Sequence, residues 1–306
     1  MLHEDHQNKE RCLDAINWLI ENDVPRRDAL GSLSSLSENL KTEELLLSEV
    51  VKSNPKTLRL RDSFSELENG GWGKEDFLKA YNLFKANPGT DPNLSFAKPV
   101  TLWDYSLNVG GRLRRLLKLP NHFKDGYTFQ QSGKGKRKQP TCTLTATPAG
   151  TISDPHIDQT GSGTLLFEVF GIKLFIAWPS TPHNLRWMTN KYGTSRGTIL
   201  NVALKSLENP FYFILQRGQY QILGPGYIHA VFSPINSAVA GMKVVHSDFR
   251  EEAEKAMEWE KALIDYRRSS AADPLEQQSA ESVEKGLNSD RRLWAQHDQK
   301  YSREKQ

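Results

Sequence analysis

Cys12, Ala15, Ile16, Leu19 and Ile20 recur at helical spacing until Val24-Pro25 interrupts them, which predicts an amphipathic helix from about residue 8 to residue 23. A second helix is predicted over Glu43 to Ser53, ended by Asn54-Pro55. A third begins near Lys74, carries Phe77, Tyr81 and Phe84 on one face and breaks at Asn87-Pro88. From about Thr141 the period shortens. Strand-like runs lie at Thr141 to Thr147, Thr164 to Phe170, Lys173 to Trp178, Thr198 to Leu204, Tyr220 to Leu223, Ile228 to Phe232 and Val239 to His246. Pro, Gly and Asn punctuate them, as in an antiparallel β core of barrel or sandwich type. Helical spacing then returns: Phe249, Ala253, Ala256, Met257, Leu263 and Ile264 form a stripe that Asp273-Pro274 closes, and a weaker helix is expected near Arg291 to Tyr301. No internal repeat is visible. The expected class is α+β, with a helical N-terminal region over residues 1–95, a β-barrel domain over 96–250 and a C-terminal helical segment over 251–306.

Composition narrows the class without naming a chemistry. The 306 residues suffice for a substantial core, and 37% apolar against 25% charged residues, with apolar runs no longer than a strand, predict no membrane span. The start MLHEDHQNKE has neither a basic head before an apolar stretch nor a small-residue cleavage site, so an intracellular location is expected. Cys12 and Cys142 are too few for a disulfide framework or a cysteine-rich zinc site, and buried thiols are the default expectation. The formal net charge of +3 argues for no particular partner. Locally, Lys134, Lys136, Arg137 and Lys138 share a glycine-containing loop. A solvated loop is the ordinary reading; a nuclear-import or phosphate-contacting segment, with nucleic-acid contact through Lys134 to Lys138, is the other.

Candidate chemistry centres on Ser153-Asp154-Pro155-His156-Ile157-Asp158. A His and a carboxylate two residues apart on a strand point to the same face, setting an imidazole beside an oxygen ligand. One more ligand would hold Fe(II) facially and leave positions open for a cosubstrate and O2. Among the later histidines His229 has the best context, because Gly224-Pro225-Gly226 makes a tight turn into a new strand there. Lys173 lies 17 residues after His156. Alternation puts it on one face with Phe175 and Ala177, with Leu174, Ile176 and Trp178 on the other. If inward, a lysine so flanked requires an anion, which the distal carboxylate of 2-oxoglutarate would supply; otherwise Lys173 faces outward.

The order and spacing of these residues resemble the Jumonji C family, nearest to its histone-demethylase subgroup. Ser153 through Phe175 resembles that subgroup's H-x-D strand followed by a G-x-K strand. Arg217-Gly218-Gln219 and Gly224 to Val231 resemble its final "QG…P-x-G-W-I-H-A-V" element, and Gly241 to Phe249 looks like the closing strand. The likeness covers about residues 140–250. It implies a double-stranded β-helix of the jelly-roll or cupin type, His156, Asp158 and His229 as iron ligands, Lys173 as the 2-oxoglutarate anchor, and hydroxylation or N-demethylation of a protein or peptide such as histone lysine. Ser153 stands where relatives often place a hydroxyl that touches the cosubstrate, though a strand-start serine is also an ordinary edge residue.

Two positions depart from the pattern. Leu166 replaces a tyrosine that helps hold the cosubstrate, leaving Thr164, Thr145 or Tyr227 as substitutes, and Lys243 replaces a small polar residue near the metal. His183 reads as a surface or capping histidine and His246 as a hydrogen-bonded strand-end histidine. Trp103, Trp178 and Trp187 read as core or rim aromatics rather than a methyl-lysine cage. The rival readings are a catalytically inactive interaction or chromatin scaffold, and a cupin-like metalloenzyme that does not use 2-oxoglutarate.

Overall fold

The computed structural model describes residues 14–33, 100–103, 123, 126–132, 139–147, 151–158, 160–191, 199–234, 237–270 and 274–303. The helices expected over 43–53 and from Lys74, the basic loop and Cys12 lie outside these residues. Helix α1 covers residues 14–21. Strands follow as β1 (Gly31–Ser32), β2 (Val100–Trp103), β3 (Tyr127–Phe129), β4 (Gln131–Ser132), β5 (Gln139–Pro140), β6 (Thr143–Thr147), β7 (Thr151–His156), β8 (Gly163–Phe170) and β9 (Ile172–Trp178). Then come α2 (Pro182–Lys191), α3 (Ile199–Ser206), β10 (Phe211–Gln216), β11 (Gln219–Leu223), β12 (Ile228–Ser233), β13 (Ser237–His246), α4 (Arg250–Ser270) and α5 (Pro274–Arg303).

One sheet runs β1-β11-β8-β13-β6-β2, with β3 also on β13; the other runs β10-β9-β12-β7. Neighbours in both sheets pair antiparallel. The chain passes from one sheet to the other at tight corners. Gly171 alone separates β8 from β9, with φ +82°, a conformation that a side chain would strain. Leu166, Leu223, Phe175, Phe211, Phe213 and Leu215 meet between the sheets in a buried cluster, the core of a jelly-roll-like sandwich. Phe175 stacks on Phe213 at 4.8 Å between ring centroids.

The outer face of the smaller sheet is covered as well, so all seven residues of β9 are buried. Ala15 and Leu19 of α1 and Leu200, Ala203 and Leu204 of α3 pack over Ile176, Trp178, Ile228 and Ala230. This corrects the strand expected at Thr198 to Leu204. Leu200, Ala203, Leu204 and Leu207 are buried while Asn201, Val202 and Lys205 are exposed, so the apolar residues keep a helical period that their β-branched neighbours obscure. α2 was also not foreseen. At the C-terminus one 30-residue helix, α5, replaces the expected polar stretch and short helix. It pairs with α4 through Ile264, Ala280 and Leu287, and with β13 through Val245, Leu293 and Trp294. Among the described residues no helix is long and apolar enough to cross a membrane.

Candidate metal centre

His156 and His229 are direct partners across the β7-β12 ladder, and so are Ser153 and Val231. Three steps along β7 therefore match two along β12, which is a β-bulge at Asp154-Pro155. Proline, having no N–H to give a ladder, suits that place. Directly opposed residues share a face, so the bulge turns Ser153 inward along with His156, where strict alternation would have separated them. β7 ends at His156, and Asp158 sits in the bend that follows. The expectation that His156 and Asp158 share a strand face is thus corrected. The bend, not alternation, returns the carboxylate to the histidines.

His156 Nε2 lies 3.3 Å from one Asp158 oxygen, and His229 Nε2 lies 3.5 Å from the other. Behind the rings, His156 Nδ1 is 2.7 Å from the Asp154 carbonyl and His229 Nδ1 is 3.4 Å from that of Tyr227. A carbonyl behind Nδ1 keeps a proton there and turns Nε2 toward the shared centre. The ligand atoms of His156, Asp158 and His229 all lie within 4.8 Å of one another. His156 and Asp158 are 39% and 44% exposed and His229 only 5%, so the group opens to solvent on one side. Burial works to lower the His156 imidazole, but the Asp158 carboxylate and the Asp154 carbonyl together raise it above its ordinary value. Burial likewise works to raise Asp158, yet the charge of His229 and hydrogen bonds from both rings hold it well below the carboxylate range. Two imidazoles and one carboxylate with an open side form a donor set suited to Fe(II).

Close packing fixes both segments that carry the group. A side chain on Gly226 would come within 2.7 Å of Ala256 on α4, and φ there is +67°. Beyond Asp158, Thr160 donates to Glu260 of α4, Gly161 N–H to Asp290 of α5 at 3.0 Å, and Ser162 to Asp290 at 3.2 Å. Trp294 Nε1 donates to the Gly161 carbonyl at 2.6 Å. Asp290, itself buried, also pairs with Lys243 at 2.7 Å. The Lys243 cation, across from Thr164 on the inner face, is thus paired with a buried carboxylate.

Lys173 points inward. It lies four residues before Ala177, the partner of His229 on β9, or about 13 Å deeper at the usual rise per strand residue. Only 2% exposed, its ammonium donates to Thr147 Oγ1 at 2.5 Å and Ser233 Oγ at 3.0 Å. Ser237 completes this hydroxyl group, 3.1 Å from Thr147. Glu168 of β8 is buried nearby. Burial lowers the Lys173 pKa to about 8, partly offset by the charge of Glu168, and raises Glu168 well above its ordinary value, partly offset by Lys173. A buried carboxyl of the chain itself thus lies beside Lys173, where a cosubstrate carboxylate was expected.

Of the other candidates, Thr164 lies inward beside Lys243, and Thr145 faces Val239 on the same interior. The Tyr227 hydroxyl is engaged by Glu252 and Arg27. Exposed His183 lies 2.9 Å from the Ser206 carbonyl, and His246 accepts from the Asp248 N–H. Trp178 and Cys142 are buried, and Trp187 is partly buried. The side chain of Trp103 lies outside what is described. Thr147, Ser233, Glu168 and Asp290 were not anticipated; a glutamate inside the apolar run of β8 was the one visible signal.

Comparison with known proteins gives a partial likeness. No family model matches the chain. Over 136 residues, 42% of the chain, it is 27% identical to lysine-specific demethylase 2B of Mus musculus. The match spans only 10% of that mouse protein.

Proposed function

We propose that this chain is an Fe(II)- and 2-oxoglutarate-dependent oxygenase of the Jumonji C type, with a double-stranded β-helix, acting on a protein or peptide. His156, Asp158 and His229 would hold the iron, and Lys173 would anchor the distal carboxylate of 2-oxoglutarate. Iron and cosubstrate held there would supply the oxidising chemistry that places one oxygen of O2 in a substrate C–H bond and the other in succinate, with loss of CO2. On an N-methyl group the hydroxylated product releases formaldehyde; on a carbon side chain the hydroxyl stays. The likeness to a lysine-specific demethylase makes N-methyl lysine, including that of histones, the first substrate to try.

The observation that carries this reading is the meeting of His156, His229 and Asp158 at an open mouth, above a buried lysine on the same inner face. His156 and His229 aim Nε2 through carbonyl contacts at Nδ1, and Asp158 is held where its two oxygens meet both rings. Phe175 lies between mouth and floor, its ring 6.4 Å from that of His229, and keeps the interior apolar along the way. The test is anaerobic titration of metal-free protein with Fe(II) and then 2-oxoglutarate, followed by admission of O2 and assay of succinate. Sequential binding and succinate release are expected. Iron binding without any response to 2-oxoglutarate overturns the assignment in favour of a metalloprotein that does not use it.

A further inference from the structure

Along the inward face of β8 lie Thr164, Leu166 and Glu168. Glu168 has no exposed surface, and neither of its carboxyl oxygens has a hydrogen-bond partner among the described residues. A buried polar group left so is costly and rare in a folded protein. It shares the floor of the barrel with Lys173, whose ammonium is taken up by Thr147 and Ser233. Leu166 beside it offers no polar atom. The floor thus holds a buried base already supplied with hydroxyls and, within reach of its charge, a buried acid without a described hydrogen-bond partner, the pattern expected where a ligand completes the set.

We propose that Glu168 is a ligand-binding residue: protonated, it donates a hydrogen bond to the carboxylate of an entering 2-oxo dicarboxylic acid whose charge Lys173 balances. This rests on the cosubstrate reading above and adds a proton to it. With both groups protonated the floor carries one positive charge and matches one carboxylate. With Glu168 ionised the floor is neutral, and two carboxylates in a dry space repel. Burial already pushes Glu168 toward its neutral form, and a carboxylic acid kept neutral by an apolar site is a strong donor. Ligand and proton therefore enter together once the pH exceeds the Glu168 value of the free protein.

The experiment is anaerobic calorimetric titration of 2-oxoglutarate into the full chain loaded with Mn(II), which holds the ligand without turnover. It is run from pH 6 to 9 in buffers of different ionisation enthalpy, with Glu168→Gln and Glu168→Leu alongside. Unchanged Mn(II) affinity reports an intact mouth in each variant. In the wild type, affinity falls and protons are taken up as pH rises through the Glu168 value of the free protein, over and above the loss near pH 8 that Lys173 causes in all three proteins. Glu168→Gln still donates but does not titrate, so it stays within about threefold of wild type at pH 6.5 and keeps only the proton uptake that Lys173 causes near pH 8. Glu168→Leu binds about tenfold more weakly, the loss of one hydrogen bond to a charged group. Tenfold tighter binding in both variants, or binding by Glu168→Gln where the wild type does not bind, makes Glu168 a resident competitor and overturns the proposal while the cosubstrate reading stands. Binding by none of the three proteins, with Mn(II) held, overturns both.

Discussion

The mouth and the floor of the barrel each gather ionisable groups on the same inner face, under opposite conditions. At the mouth His156 and Asp158 reach solvent, and every member of the group has a partner: carbonyls behind the rings, one carboxylate between them. At the floor Lys173 and Glu168 are cut off from water, and the Glu168 carboxyl has no hydrogen-bond partner among the described residues. Charge at the mouth is mutually satisfied and screened. At the floor it is dry and incomplete, so the same unit of charge weighs more there. The mouth is therefore suited to exchange protons for a metal, and the floor to select what enters by charge.

The strongest way to break this comparison is to remove a metal ligand. His156→Ala and His229→Ala should each weaken Fe(II) binding beyond the 10–100-fold typical of losing an outer-shell partner, measured by anaerobic titration; full iron occupancy in both would sink the ligand assignment. Next comes the brace behind the mouth. Asp290→Asn leaves Lys243 without its carboxylate and should cost about 3 kcal/mol of stability by denaturant unfolding. An unchanged unfolding midpoint would show that the brace carries no energy. Lys173→Ala should spare iron and weaken 2-oxoglutarate by about 2 kcal/mol, roughly 30-fold; weakened iron binding instead would mean that mouth and floor are not separable. pH should sharpen the contrast further. Because the His156 value is raised, protons compete with metal from a higher pH than an ordinary histidine allows, and iron affinity should decline as pH falls through that value. Smallest is Trp294→Phe, which loses the hydrogen bond to the Gly161 carbonyl and should cost about 1 kcal/mol.

Much of the mouth was legible along the chain because residue type and short spacing spell it: a His and an Asp two apart, then a His after a glycine-proline turn. Alternation on β9 put Lys173 on one face with Phe175 and Ala177, and only the packing between the sheets decides that this face is the inner one. Ser153 was harder, since its direction depends on a bulge that exists only against β12. The floor was largely hidden. Thr147, Glu168, Lys173 and Ser233 come from four strands, and only sheet register brings them together. The run Thr198 to Leu204 read wrongly because Ile199, Val202 and their neighbours suit either period, and packing with α1 decides for the helix. Asp290 sits in a polar helix whose charges look alike from sequence, and nothing local marks it as the one turned inward.

The brace also bears on the order of synthesis. Gly161 and Ser162 are tied to Asp290, 129 and 128 residues further on. A nascent chain that has completed every described strand still lacks the Asp290 carboxylate that holds Gly161 and Ser162 beyond Asp158. The mouth can take its final shape only after α5 has left the ribosome and docked, so a metal ion arriving earlier meets two histidines whose shared carboxylate is not yet held in place.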